Sequence, residues 1–386
     1  MTDSNRVTLG YYEESAYGAA PTGSAYLPLR ITSESLSQQT STITSAELRA
    51  DRQISDVVRS NLSVSGDTSW ELSYNHTDIM RRVLMSDSDW TGASTATGAI
   101  VVAAAGKTMT LSAAFGSFVV GQWVKSSGFA NAANNGYFKI GAAAANVITL
   151  DTDVTLVDET GSGASCKQGD QILNGTTSAS YSIIRHYEDI ANGTSGHEAL
   201  YTGCMPDAMS LSVTTEAVVT GGFTWIGAKA TSKATRTQTV TAANTKDVMN
   251  SIENVNSMME GGDFTPTAIT SFTLNLANNL RPRLQVGTLG AVSIGSGTVN
   301  VSGTFQRYYS SSAILDKYLN FTDTNLAIAF EDPDGNAFVF EVPKVVFTSA
   351  QRVAGGQNQD IIADVSWEAM MDDTELKTIR VSKWSA

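Results

Sequence analysis

The sequence predicts a mostly β chain: two related β-sandwich or barrel-like domains, each with one flanking helix, and a small β domain inserted into the first. Three observations predict it. A strand–turn–helix stretch occurs twice, as LSVSGDTSWELSYNHTDIMRRVLM from Leu62 to Met85 and as VNVSGTFQRYYSSSAILDKYLN from Val299 to Asn320. Two shorter segments recur downstream in the same order. Elsewhere short apolar–polar alternations are separated by Gly, Asn and Ser turns, the pattern of half-buried strands.

The repeat settles the architecture before any motif does. Both copies open with V-S-G and carry aromatics, Trp70 and Tyr74 in the first and Phe305 and Tyr309 in the second. Each then runs into a helix with apolar residues spaced i, i+1, i+4, i+5: Ile79, Met80, Val83 and Leu84, then Ile314, Leu315, Tyr318 and Leu319. That spacing makes one apolar stripe, so these eight residues are the expected helix cores. From Trp70 and Phe305 onward the offset is 235 positions; Glu188-Asp189 then matches Glu331-Asp332 at 143, and Trp225 matches Trp367 at 142. The fall from 235 to 143 places an insertion of 92 residues in the first copy.

Taken in order, residues 1–30 read as an extended N-terminal arm, expected to pack because its four tyrosines among Gly and Pro are costly to leave exposed. Residues 31–60 read as a long hairpin whose tip carries Glu47, Arg49, Asp51, Arg52 and Asp56, mixed charges suited to a register-setting contact between subunits. The first domain is expected over 31–90 with 177–245, interrupted by the inserted β domain at 91–176. Within the insertion AIVVAA, KTMTLS, FVVGQWVKSSG, GYFKIGAA and NVITLDTDVTLV are short strands, and Gly-rich seams bring its ends together. A linker at 246–267 includes a short helix or loop over Lys246–Glu260. The second domain spans 268–375, with a hairpin turn at Pro333–Asn336 and with the long hairpin of the first copy shortened to about Asn278–Gly290. A C-terminal tail at 376–386 closes the chain.

Composition excludes several function classes. The 386 residues include 38 Asp and Glu against 25 Lys and Arg, a formal net charge of −13. So acidic a chain repels nucleic acid, because affinity for DNA rests on Lys and Arg neutralising phosphates. DNA could slide past such a surface without sticking. Two distant cysteines, Cys166 and Cys204, imply no disulfide framework. No basic and apolar leader and no long apolar run are present, so neither secretion nor a membrane span is expected and the chain is expected to fold in a reducing cytoplasm. Charged residues make up only 16% of the chain, which suits a surface largely buried against neighbours.

No catalytic, metal or cofactor site emerges. Gly106-Lys107-Thr108 ends like a phosphate loop, but Val101 occupies the required first glycine position. Asp332-Pro333-Asp334-Gly335-Asn336 resembles the start of a calcium loop without the glutamate at its twelfth position. Asp151, Asp153 and Asp158 fit a solvated strand face. His76, His186 and His197 lack HExxH or CxxC partners. The Glu188-Asp189 and Glu331-Asp332 pairs recur in both copies, which indicates a structural role.

The order of segments resembles the major tail tube proteins of long-tailed (siphovirus-like) bacteriophages. The resemblance is carried by the Leu27–Ile31 strand with TSESL after it, ELRADRQISD with VSGD and ELSY, the helix that follows, VTGGFTW, ANNLRPRLQVG and VSGTFQRYY. It covers most of the chain outside the insertion. It implies a virion protein assembled in the host cytoplasm: a homo-oligomer whose rings join inner strands into one barrel and stack into a tube for DNA ejection. It also implies other tail proteins (tape measure, tail terminator, distal tail) as partners, with DNA passing through the lumen without specific binding, no membrane, no cofactor and no enzymatic activity. Two joined copies per chain lead to an expectation of trimeric rings with pseudo-six-fold symmetry. The hairpin residues Glu47–Asp56 are expected to contact the next ring and the helices to brace the barrel. A receptor-binding β adhesin is the competing reading.

Overall fold

The computed structural model describes residues 2–23, 25–111, 115–151, 155–236, 238–262, 269–353 and 356–386. The first half opens with β1 (Val7–Glu13), β2 (Ala25–Leu29), β3 (Ser33–Glu34), β4 (Ser37–Thr44) and the long β5 (Val57–Glu71), which leads into α1 (Thr77–Val83). Six strands follow: β6 (Ser94–Ala103), β7 (Thr108–Leu111), β8 (Trp123–Ser127), β9 (Gly136–Ala144), β10 (Val147–Leu150) and β11 (Glu159–Gln168). Next come β12 (Asp170–Leu173), β13 (Tyr181–Tyr187), β14 (Glu198–Thr214), β15 (Thr220–Gly227), β16 (Lys229–Lys233) and β17 (Thr239–Val240). The second half holds β18 (Val255–Glu260), β19 (Ile269–Ala277), β20 (Arg281–Arg283), β21 (Ser293–Gly295) and β22 (Asn300–Tyr308), then α2 (Ala313–Leu319). It ends with β23 (Thr324–Glu331), β24 (Ala337–Arg352), β25 (Ile362–Ala369) and β26 (Arg380–Trp384). The fold is mostly β, with two α-helices among the described residues.

One run of hydrogen-bonded strands crosses both halves: β4, β5, β15, the C-terminal half of β14, β19, β22, β25 and the C-terminal half of β24. The N-terminal halves of β14 and β24 leave this sheet and pair elsewhere. That of β14 lies between β13 and β16, and that of β24 between β23 and β26. The pattern of partners therefore repeats: β13 pairs β1 as β23 pairs β18. A single apolar core fills the space between the layers, from Leu9 and Ile183 through Trp225 to Phe340 and Trp367.

Strand register refines the correspondence between the copies. Trp225 stands opposite Gly66 and Trp367 opposite Gly303, an offset of 237 positions, whereas the helices, Thr77–Val83 and Ala313–Leu319, are offset by 236, one more than the spacing of their apolar residues suggests. Phe305 thus shares its place with Thr68, not Trp70, and the one-residue difference lies in the turn into the helix. The glycines are required by close packing. A Cβ on Gly303 would lie 2.0 Å from the Thr273 carbonyl oxygen, and one on Gly66 would lie 2.6 Å from that of Ser35.

β6 to β11 pair only with one another and close into a barrel with its own core, including Ile100, Met109, Phe138 and Ile148. β11, an ETGSGASCKQ strand too small and polar for the sequence pattern, completes the closure. The barrel docks on the second half: Trp123 and Tyr137 pack with Ala327, Val339 and Trp384. Beneath them Glu341 is fully buried between Lys139 at 2.7 Å and Arg380 at 2.8 Å, and accepts from the Trp123 indole at 2.8 Å.

Three segments differ from the sequence expectation. The arm at residues 1–30 does pack, but as strands of the first half and not as a separate extended arm: β1 pairs with β13 and buries Leu9 and Tyr11. The expected tail at 376–386 contains β26, inserted between β24 and β12 with Val381 and Trp384 buried. The expected helix or loop over Lys246–Glu260 ends in strand β18, paired with β23. Each of these strands is short and owes its conformation to a partner far away in sequence, which local periodicity does not register. The shortened hairpin also reaches past Gly290, through β20 and β21 to Gly295.

Candidate functional site

The long sheet has two faces because successive side chains on a strand alternate. One face carries Val64, Phe223, Leu211, Leu274, Val301 and Val365 into the core. The other carries Ser, Thr, Asn and Gln residues such as Ser210, Thr220 and Asn275, together with four carboxylates, Asp67, Glu71, Asp364 and Glu368. Among the residues that pair β5 with β15, β15 with β14, β14 with β19, β19 with β22 and β22 with β25, no Lys or Arg stands on this outward face; Arg59 stands exposed farther along β5, where it pairs with β4. Thr224 donates to Asp67 at 2.7 Å, which orients one of the acids. The result is a flat, hydroxyl-rich, negatively charged surface whose central registers hold no cation for a phosphate.

The sheet ends in two open edges. Among the described residues β4 pairs only with β5, and β24 beyond Val345 pairs only with β25. Beyond the sheet the β4–β5 hairpin projects into solvent. Glu47, Arg49, Asp51, Arg52 and Asp56 are all exposed at its tip, where the Ser45 N–H donates to the Asp56 carbonyl at 2.9 Å. Arg49 grips Asp51 through two hydrogen bonds, 3.0 and 2.8 Å, and holds its carboxyl below the ordinary range. Leu48 and Ile54 stand exposed beside them.

The helix residues separate into two groups. Ile79, Met80, Val83 and Leu84 are all buried. In α2 only Ile314 is buried, Leu315 and Tyr318 are half-buried, and Leu319 is 67% exposed. The other sequence candidates are occupied structurally. Glu188 receives Arg236 at 2.7 Å, Glu331 receives the Tyr137 hydroxyl at 2.8 Å, and Asp332 caps its own hairpin turn at Asn336. His186 bonds Glu198 at 3.0 Å in the core, and burial lowers its pKa. Burial pushes the Cys166 thiol up to about 12 and raises that of Cys204 further. Asp158 caps Ala104, and Asp153 lies outside the described residues. Which residues make the carboxylate face and which strands form the open edges escaped sequence reasoning: alternation gives a strand two faces, but only the second layer shows which one is core.

A protein-family model described as phage tail tube protein matches residues 4–369. The chain belongs to the phage tail tube protein family. No curated protein matches it. Membership makes this tail tube protein a structural component of the phage tail, of a kind that assembles with itself and with other tail proteins. None of its described helices is long and apolar enough to cross a membrane.

Proposed function

We propose that this tail tube protein forms rings of three subunits with pseudo-six-fold symmetry, which stack into the hollow tube that delivers phage DNA. Each chain supplies two related tube domains, the first extended by β1 and β2 and the second by β26. The inserted barrel stands on the exterior. The observation that carries the reading is the sheet that runs unbroken through both halves and presents one acidic face whose central registers carry no Lys or Arg. Curved into a ring, that face becomes a lumen past which DNA slides, since those registers offer no Lys or Arg to release counterions. Closure also removes the two open edges. In this arrangement Glu47, Arg49, Asp51, Arg52 and Asp56 meet the adjacent ring, and the helices brace the barrel from outside. The tape measure, terminator and distal tail proteins meet the lumen and the tube ends.

Electron microscopy of the purified protein across a concentration series, with native mass of the smallest closed assembly, tests this. Hollow tubes and a three-chain ring are expected. Six-chain rings would keep the tube and remove the claim of two tube domains per chain. Compact monomers at every concentration would overturn the tube itself.

A further inference from the structure

The internal contact between the two halves gives the register of a contact the single chain leaves open. Within the chain, β14 pairs antiparallel with β19 from Ala208↔Ala277 to Thr214↔Ser271. β24 repeats β14, and β3–β4 repeats β19, so the two open edges are the two sides of that same seam at opposite ends of the sheet. The correspondence is fixed by shared irregularities. β14 slips one residue against β15 between Pro206 and Ala208, and β24 slips one residue against β25 between Phe347 and Ser349. On the other side, the Gly66–Trp225 and Gly303–Trp367 pairs align β5 with β22. Transposing the seam places Ser349 opposite Gln39, Ala350 opposite Gln38, Gln351 opposite Ser37, and Arg352 opposite Leu36.

We propose that β24 of one subunit pairs with β4 of a second copy of this chain in that register. The inference rests on the tube reading and specifies the subunit contact within it.

Independent observations flank both edges. At the internal seam, Leu280 and Ile294 from the second half pack with Met85, just beyond α1. Phe321 holds the matching place beyond α2, with nearly the same left-handed backbone (φ 52° against 51°). Met85 is 5% exposed and Phe321 is 67% exposed. The hairpin stem that would meet Phe321 from the next subunit carries Ile43, Val57 and Val58, each more than half exposed. The two ends of the chain thus bear the unpaired halves of one apolar contact.

The β4 edge is also capped. Leu36 donates its N–H to the Glu34 carboxylate at 3.0 Å, and its carbonyl accepts from Arg185 at 2.8 Å and from the Tyr201 hydroxyl at 3.1 Å. Phe272 occupies the place of Glu34 at the internal seam and makes no such cap. Covering an edge N–H with a side chain protects a free strand from indiscriminate pairing. The Arg352 carbonyl of the incoming subunit takes over the Leu36 N–H.

Three paired-cysteine variants of the full chain test this under assembling conditions, beside the unaltered protein imaged on grids. Ser210→Cys with Asn275→Cys calibrates the geometry, because these residues face each other at the internal seam; it should give a disulfide within one chain. Ser37→Cys with Gln351→Cys should give reductant-sensitive multimers on denaturing gels, at least tenfold above Ser37→Cys with Ser349→Cys, a two-residue slip. Tubes on the grid and a closed internal disulfide, with no multimers from the Ser37–Gln351 pair or with more from the slipped pair, would overturn the seam and leave the tube. No assembly by any protein, the unaltered chain included, overturns the tube reading and the seam with it.

Discussion

Helices α1 and α2 end alike and are buried very differently. Each closes with the same pair of hydrogen bonds, Met85 to Arg82 and Ser86 to Arg81 in the first, Phe321 to Tyr318 and Thr322 to Lys317 in the second. This is the closure that glycine usually provides, made here by bulky residues at positive φ. Around α1, Trp90 donates its indole N–H to the Thr77 carbonyl at 3.2 Å, and Asn278 from the second half donates to the Val83 carbonyl at 2.8 Å. Around α2, Leu319 and Phe321 face solvent. The difference locates the missing neighbour. In the proposed ring, what the second half does for α1 the first half of another subunit does for α2.

The largest effect that would break the equivalence of the halves is at their shared glycines. Gly303→Ala forces a Cβ to within 2.0 Å of a backbone oxygen, and Gly66→Ala adds a φ of 151° to a 2.6 Å clash. Each should cost ~4 kcal/mol or more, the range reached when core packing cannot relax. Thermal unfolding of the two variants checks this, and a melting temperature unchanged in either would mean that the repeated Gly–Trp pairing is not a packing constraint.

The next contrast sharpens the comparison. Asparagine tolerates the left-handed backbone, so Met85→Asn and Phe321→Asn relieve strain equally and differ only in burial. Met85→Asn should destabilise the chain by about 2–4 kcal/mol, through lost apolar contact and a buried amide. Phe321→Asn should leave chemical denaturation of the monomer within about 0.5 kcal/mol of the original and raise the concentration at which rings form. Equal losses of monomer stability would show that the two sites are buried alike.

The sequence exposed the features that local pattern carries. The V-S-G strands, both helices, five strands of the inserted barrel and the Asp332–Asn336 turn are short-range signals, and the structure places each where its pattern falls. What it concealed is long-range. β1 finds β13 across 168 to 180 positions, and β26 finds β12 across more than 200. Neither RVSKW nor VTLGYYE alternates long enough to announce a buried strand. The helix stripes were legible as stripes, yet spacing alone could not distinguish the covered α1 from the exposed α2, because both are written for a neighbour. The same holds for the acidic sheet face, whose members are scattered among six strands.

The smallest expected effect separates the halves by pH. His76 sits at the start of α1, buried against Trp70 and Phe223, with its Nε2 3.0 Å from the Arg30 carbonyl; its counterpart at the start of α2 is Ser312. Burial pushes the imidazole pKa down to about 4. In the unfolded chain it titrates near ~6.5. Above that value neither state binds the proton and His76 contributes no pH dependence. As the pH falls from about 6.5 toward about 4 the unfolded chain takes up a proton that the folded chain refuses, so stability declines, by about 1–2 kcal/mol at pH 5. His76→Asn keeps the left-handed backbone (φ 56°) and removes the titration. Denaturant unfolding at pH 7 and pH 5 should show a smaller acid loss for His76→Asn than for the original chain, with His186 contributing to both. Identical losses would place the acid sensitivity outside the first half's helix start, and would leave the two helix starts equivalent in this respect.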